Sequence, residues 1–393
     1  MCPEEYHAVW LCSTITDNSI KHRLLKEFGS PSDIYASSKD DLMSASILNE
    51  NAIDKLLKTR TAKYCETLLS RLDKDAIRFL WHTDDSFPER LRTIPDAPLG
   101  LFIQGSLKII AANVIVAVVG TRQSTPYGEF VARQFGQGLA DAEIPVVSGL
   151  AMGIDAAAHK GCLAGNGVPV AVLGSGIGSP YPRENTLLYR EVVDRGCVIS
   201  EYGPGVPALP HHFPHRNRLI SGLSDGIVVV EAQQKSGTLI TVDRALEQGK
   251  NVYVVPGRVT DRNSIGCNQL IREGAQLVTN PGEVIVDLAR QSGVPLLQEE
   301  PDGQLRLIRD NINAEHNGKT YCKKIEKMPL ASNEKIVYAF LRLSPKHFDQ
   351  LIWESGMTPS ELTNILYSLE RGGWIEKISH GCYSAKDTRS RDL

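Results

Sequence analysis

Apolar and polar positions divide the chain into zones of different period. Between residues 106 and 292, β-branched apolar runs of strand length alternate with segments of helical spacing. The runs lie at 114–119, 145–147, 169–173, 197–200, 227–230, 252–255 and 276–278. The helical segments lie at 129–140, 155–164, 185–195, 238–248 and 268–273. A strand that is apolar at every position is buried on both faces, so the alternation predicts a mainly parallel sheet clothed by helices. Right-handed crossovers then make this zone an α/β, Rossmann-like, doubly wound domain.

The flanking zones read differently. Residues 1–105 carry short helices at 21–28, 39–43 and 52–72, with a Gly29-Ser30-Pro31 break. They predict a small helical N-terminal domain of the SAM or helix-hairpin-helix kind. That zone ends in the proline-punctuated SFPERLRTIPDAPLGLFIQG, which leads into a strand. Residues 293–332 are charged and aperiodic and read as a linker. In 333–393, NEKIVYAFLRL and FDQLIWESG give two helices, and Thr358 or Ser360 can cap a third running to Leu369. WIEKISHGCYS reads as a hairpin, which completes a winged-helix-like order.

Composition narrows the partners. The 393 residues are 42% hydrophobic and 23% charged, an ordinary globular balance. No apolar run nears the ~20 residues of a membrane helix, and two acids stand where a signal peptide carries base. A cytoplasmic protein without membrane insertion is expected. Lys and Arg number 43 against 46 Asp and Glu, a net charge of −3. That excludes a uniformly basic coat and leaves room for one local basic groove. The eight cysteines form no C-x-x-C pair and read as reduced thiols. No metal or cofactor is expected.

Candidate chemistry sits after the strands, where open α/β sheets bind ligands. Gly120, Thr121 and Arg122 follow the first strand, and Arg122 can fork onto a phosphate. Ser148, Gly149 and Gly153 follow the second and open a helix, so backbone can approach an anion. The third strand is followed by Gly174-Ser175-Gly176 and then Tyr181-Pro182. After the fourth comes an acid-free stretch, 203–218, holding Phe213, Arg216, Asn217, Arg218 and three histidines. Its prolines read as a loop that presents Phe213 beside two arginines, a pairing that suits a stacked base and held phosphates. A metal site at His211, His212 and His215 lacks a carboxylate partner. After the fifth strand, Lys235, Ser236, Gly237 and Thr238 form a phosphate cradle at a helix N-terminus. His159 reads as a packed or capping histidine.

At these residues the sequence resembles the DNA-processing DprA/Smf family. The matching stretches are VVGTR (118–122), SGLAMGIDAAAH (148–159), SEYGPG (200–205), FPHRNRLISGLS (213–224), VVEAQQKSGTLIT (229–241), VPGR (255–258) and GCNQLIREGA (266–275). The resemblance implies a protein of natural transformation that binds and protects single-stranded DNA and helps load a RecA-type recombinase. It implies a homodimer through the Rossmann-like domain and no known chemical reaction. It also implies DNA contacts at Arg122, the 148–153 loop, the 213–218 loop and the 235–238 turn. His215 stands where a basic residue is common.

Two other functions compete. A nucleotide-processing enzyme of the lysine-decarboxylase-like phosphoribohydrolase type could use Asp155, Glu201 or Glu231. Those enzymes usually carry a doubled glycine before Gly-Thr and glutamates after it; here Lys235-Ser236 precedes and Leu239-Ile240-Thr241 follows. Alternatively, the winged helix could read DNA. Its recognition-helix candidate holds Glu361 and no base before Leu369, so this domain is expected to contact protein instead.

Overall fold

The computed structural model describes residues 3–107, 109, 112–292, 297–299, 305–307 and 333–385, except 335–336, 339–340, 342–345, 356 and 380. It divides into two units, Met1–Ile308 and Arg309–Leu393.

The larger unit begins with six helices: α1 (Pro3–Thr14), α2 (Asn18–Phe28), α3 (Pro31–Ala36), α4 (Lys39–Ser44), α5 (Glu50–Thr59) and α6 (Ala62–Lys74). Their starts are encoded locally. The side chains of Asp17, Asn49 and Thr61 accept backbone N–H bonds at the N-caps of α2, α5 and α6. Ser30 does so before Pro31, and Ser38 with Asp41 forms a capping box. Trp10, Leu24, Ile34, Ile53 and Leu68 on these helices share one core with Phe102, Leu173, Val198 and Tyr189. The helical zone is therefore packed onto the sheet region.

The sheet has nine strands: β1 (Ile77–Trp81), β2 (Gly100–Gly105), β3 (Val116–Val119), β4 (Val146–Ser148), β5 (Pro169–Val172), β6 (Cys197–Ser200), β7 (Gly226–Val229), β8 (Asn251–Val254) and β9 (Gln276–Leu277). Their order is β1-β2-β6-β5-β4-β3-β7-β8-β9. From β6 to β9 all pairings are parallel; Ala117 of β3 sits between Val147 of β4 and Ile227 of β7. β3 is buried at all four positions, as a doubly covered strand must be.

Between the strands lie α7 (Glu89–Arg92), α8 (Pro126–Asp141), α9 (Ile154–Ala164), α10 (Thr186–Arg195), α11 (His212–Leu223), α12 (Gly237–Glu247), α13 (Ile265–Arg272) and α14 (Pro281–Ser292). Helices α8, α9 and α14 cover one face, and α11, α12 and α13 the other. Among the described residues no helix is long and apolar enough to cross a membrane.

Three features depart from the sequence pattern. The sheet starts before residue 106: β1 and β2 join its β6 edge in antiparallel pairing, which needs no crossover helix to announce it. Helix α14 follows β9 without having been read. The acid-free segment, expected as a loop, is helical from His212, because proline is tolerated in a first helical turn and Pro214 sits there.

The linker expected at 293–332 falls outside the described residues, apart from the antiparallel pair β10 (Leu297–Glu299) and β11 (Leu305–Leu307). The second unit contains β12 (Lys346–His347), α15 (Phe348–Ser355), α16 (Pro359–Arg371), β13 (Ile375–Ser379) and β14 (Cys382–Ala385). Thr358 and Glu361 make a capping box at the start of α16. Leu351, Leu362, Leu366, Leu369 and Ile375 form its core with Val337, Tyr338 and Leu341. The helix expected at NEKIVYAFLRL lies only partly within the described residues.

Candidate nucleic-acid interface

The chain builds outward from β3 to β6 on one side, then returns to lay β7 on the other. The β3–β7 junction is the topological switch point, where the connections after the two strands diverge and leave a crevice. A cleft of about 520 Å³ opens there. Gly120, Thr121 and Arg122 line it from the end of β3; Ser236, Gly237 and Thr238 line it from the start of α12. The third wall is α11.

On α11, Phe213, Arg216, Asn217 and Ile220 line the cleft, spaced i, i+3, i+4 and i+7 on one helical face, with Pro214 of the first turn beside them. Phe213 is half-buried and rests on Gly174, where an added Cβ would come within 2.8 Å of the ring. The Arg122 guanidinium lies 4.9 Å from the Phe213 ring centroid. Tyr181, 47% exposed, sets its ring 5.5 Å away at 42°. The mouth is thus an exposed cation flanked by two aromatic faces, a geometry that suits a base and its phosphate. Sequence reading gave Tyr181 no role; its position after a strand was the only signal.

Arg216 lines the same cleft and is held from behind. Its Nη1 donates to the Gly149 carbonyl at 2.8 Å and to the Val172 carbonyl. Burial pushes the guanidinium down to about 10, against the nearby Asp155 carboxylate. Gly149 has no Cβ because the guanidinium occupies that space. Arg216 therefore ties the 148–153 loop to β5 and adds positive potential from the cleft floor. Asn217 Nδ2 reaches the Gly237 carbonyl at 3.4 Å and links α11 to α12.

Arg218 is a correction to the sequence expectation. As part of a helix it lies about 140° around from Phe213, on the far face. Its Nη2 makes two 2.8 Å bonds to the Glu201 carboxylate, and its Nε donates to Asp96 at 3.1 Å. It is 3% exposed and does not line the cleft. His215 shares that face, 2.8 Å from Asp96. Burial alone would raise the Asp96 carboxyl, but the His215 bond, Arg218 and Asn18 outweigh it and hold it below the ordinary carboxylate range.

The remaining candidates divide. Ser148 is buried and donates to the Val118 carbonyl at 2.7 Å, and Gly153 starts α9 at φ +77, a conformation glycine adopts without strain. Neither lines the cleft; both shape the loop beneath it. Lys235 is exposed just before the cradle, outside the lining itself. At the start of α12, Ser236 makes no capping bond, and its buried hydroxyl has no hydrogen-bond partner among the described residues. That helix N-terminus has positive potential to offer an anion.

The carboxylates proposed for catalysis are engaged. Glu231 accepts from the Thr125 amide at 3.0 Å, from its hydroxyl and from Asn263. Glu201 holds Arg218, and Asp155 accepts from the Gly149 amide at 3.1 Å. His159 is fully buried, and burial takes it down to about 3, so it packs as a neutral ring. The three neighbouring histidines diverge: His211 is exposed, His212 stacks on Tyr202 at 4.1 Å, and His215 meets Asp96. Among the described residues no group of three or more His, Cys, Asp or Glu is arranged to hold a metal ion.

Comparison with known proteins agrees with this architecture. Residues 78–289 match the family model described as DNA recombination-mediator protein A, and 326–379 match the DprA winged helix domain. The chain is 34% identical to Protein Smf of Escherichia coli over 320 residues, which is 81% of this chain and 80% of that one. The structure of DNA processing protein A from Streptococcus pneumoniae matches with TM-score 0.61 and 34% identity, over 73% of this chain and 99% of that chain. DNA processing protein A from Helicobacter pylori, solved for insight into its single-stranded DNA binding mode, matches with TM-score 0.50 and 28% identity, over 55% and 96% of the two chains. The first family match takes in the sheet from β1 onward and every wall of the cleft. The chain belongs to the DNA recombination-mediator protein A family.

Proposed function

We propose that the chain binds single-stranded DNA in the switch-point cleft, shields it, and passes it to a RecA-type recombinase. The observation that carries this reading is the convergence of Arg122, Phe213 and Tyr181 with the α12 N-terminus on one cleft. Phosphates meet Arg122 and the helix N-terminus, and a base stacks on Phe213. The single-stranded DNA binding named for the Helicobacter pylori relative supports it. The engaged states of Glu201, Glu231 and Asp155 favour binding over nucleotide turnover. The reading includes a cytoplasmic homodimer formed through the Rossmann-like domain, with the C-terminal unit contacting protein.

The test is an anisotropy titration of single- and double-stranded oligonucleotides at several salt concentrations. Single strands bind tighter, and log affinity falls linearly with log salt. Arg122→Ala weakens binding and shallows that slope by about 0.7, the share of one phosphate contact on a single strand. Equal affinity for duplex, or an unchanged Arg122→Ala titration, overturns the cleft reading.

A further inference from the structure

The acid-free segment is only half absorbed by the cleft. Its C-terminal half forms the α11 wall, while its N-terminal half, from Gly203, runs away from the cleft along the same carboxyl edge of the sheet. There Pro204 forms one wall of a second groove of about 440 Å³, whose other walls are α5 and α6. Lys58, Lys63 and Arg71 line it together with Tyr64 and Thr67, and no acidic residue does.

The charge arrangement on α6 is one-sided. At roughly 100° per residue, Lys63, Tyr64, Thr67 and Arg71 fall on one face, with Glu66 and Asp73 more than 100° from its centre. Some exposed cations elsewhere are paired, Lys39 with Glu50 and Asp54 and Arg244 with Glu247, while others such as Arg23, Lys26, Lys55 and Lys74 are not; what distinguishes this groove is that three cations line it and no acid does. Among the described residues, Lys58, Lys63 and Arg71 have no salt-bridge partner. Gly205, at φ +87, brings the loop backbone against Arg71: a Cβ there would sit 3.1 Å from Nη1. The same loop ends at Pro210, which lines the cleft. Six Cα steps of 3.8 Å keep Pro204 and Pro210 within about 23 Å.

We propose that this groove is a second phosphate-backbone site for the single strand held in the cleft, reached along the acid-free 203–211 segment. Tyr64 offers a ring face, and three unpaired cations offer phosphate contacts without base readout. The proposal rests on the cleft reading for the first part of the strand.

The experiment compares intact protein, the triple variant Lys58→Gln/Lys63→Gln/Arg71→Gln, and Arg122→Ala. The probes are oligothymidylates of about 4 and about 30 nucleotides, one at the lower end of and one well beyond the ~4–16 that one binding surface typically occupies. The three substituted side chains are exposed, so folding is expected to be unaffected and is checked by the melting temperature. On the long probe the triple variant shows a salt slope shallower by about 2, from three contacts at about 0.7 each. Between about 50 and 200 mM salt the intact protein then loses about 20-fold more affinity than the variant. On the short probe the two behave alike. If the triple variant matches intact protein on the long probe while Arg122→Ala is weakened, the groove is refuted and the cleft stands. An unchanged Arg122→Ala refutes the cleft instead. Polyglutamate that displaces the long probe as well as oligothymidylate does makes the groove an acidic-protein surface and overturns the proposal.

Discussion

Replacing Arg218 with alanine separates the two roles a cation on α11 can play. The native guanidinium makes two 2.8 Å bonds to Glu201 and one of 3.1 Å to Asp96, and the Arg218 and Glu201 side chains are 4% and 3% exposed. Truncation leaves the Glu201 carboxylate buried without its guanidinium, with His215 Nδ1 3.7 Å away. Breaking such a pair costs about 3–5 kcal/mol. Unfolding entropy is about 2.1 cal/mol/K per residue, so a unit of about 300 residues loses about 5–8 °C of melting temperature. Differential scanning calorimetry reads that loss. Anisotropy well below the transition then finds single-strand affinity close to that of the intact protein. The double change Arg218→Met with Glu201→Met removes both charges and recovers much of the stability. An Arg218→Ala protein that melts normally yet binds DNA as poorly as Arg122→Ala would refute this assignment.

Other expectations follow from the same geometry. Phe213→Ala costs about 1–3 kcal/mol of single-strand affinity and Phe213→Tyr little, read by equilibrium titration; equal losses would remove the stacking role. Gly149→Ala drives a methyl into the Arg216 guanidinium, which its carbonyl partners hold in place, and costs about 1–3 kcal/mol in urea unfolding. His159 stays neutral in the fold down to pH about 3, whereas the unfolded chain takes up that proton below 6.5. Its contribution to stability is therefore complete above pH 6.5 and shrinks by up to about 1.4 kcal/mol per unit as pH falls toward 3. The acid limb of His159→Gln is correspondingly shallower; parallel limbs would show that His159 titrates normally.

Much of this protein was legible in the chain. The strands at 197–200 and 169–173 were readable because a doubly covered strand is apolar at every position. β1, with its exposed Arg78, carries no such mark, and neither does its antiparallel place at the sheet edge. Gly120, Arg122 and the 236–238 cradle were legible from their order after strands, since a parallel sheet brings those ends to one edge. The segment 203–218 was legible in composition and illegible in shape: its four prolines suggest a loop, and the first turn of α11 absorbs the last of them, Pro214.

That difference divides what sequence determines from what tertiary structure decides. Alternation, glycine placement and charge specify the strands, the switch point and the residue types at the cleft, because those are local properties repeated along the chain. Which arginine lines the cleft is not local. Once 212–223 is helical, its period turns Arg216 to the cleft and Arg218 to a carboxylate from β6's end, 17 residues away in the chain. The near-neutral charge of −3 likewise conceals a one-sided distribution, visible only when folding sets Lys58, Lys63 and Arg71 beside Pro204 and turns Glu66 and Asp73 away.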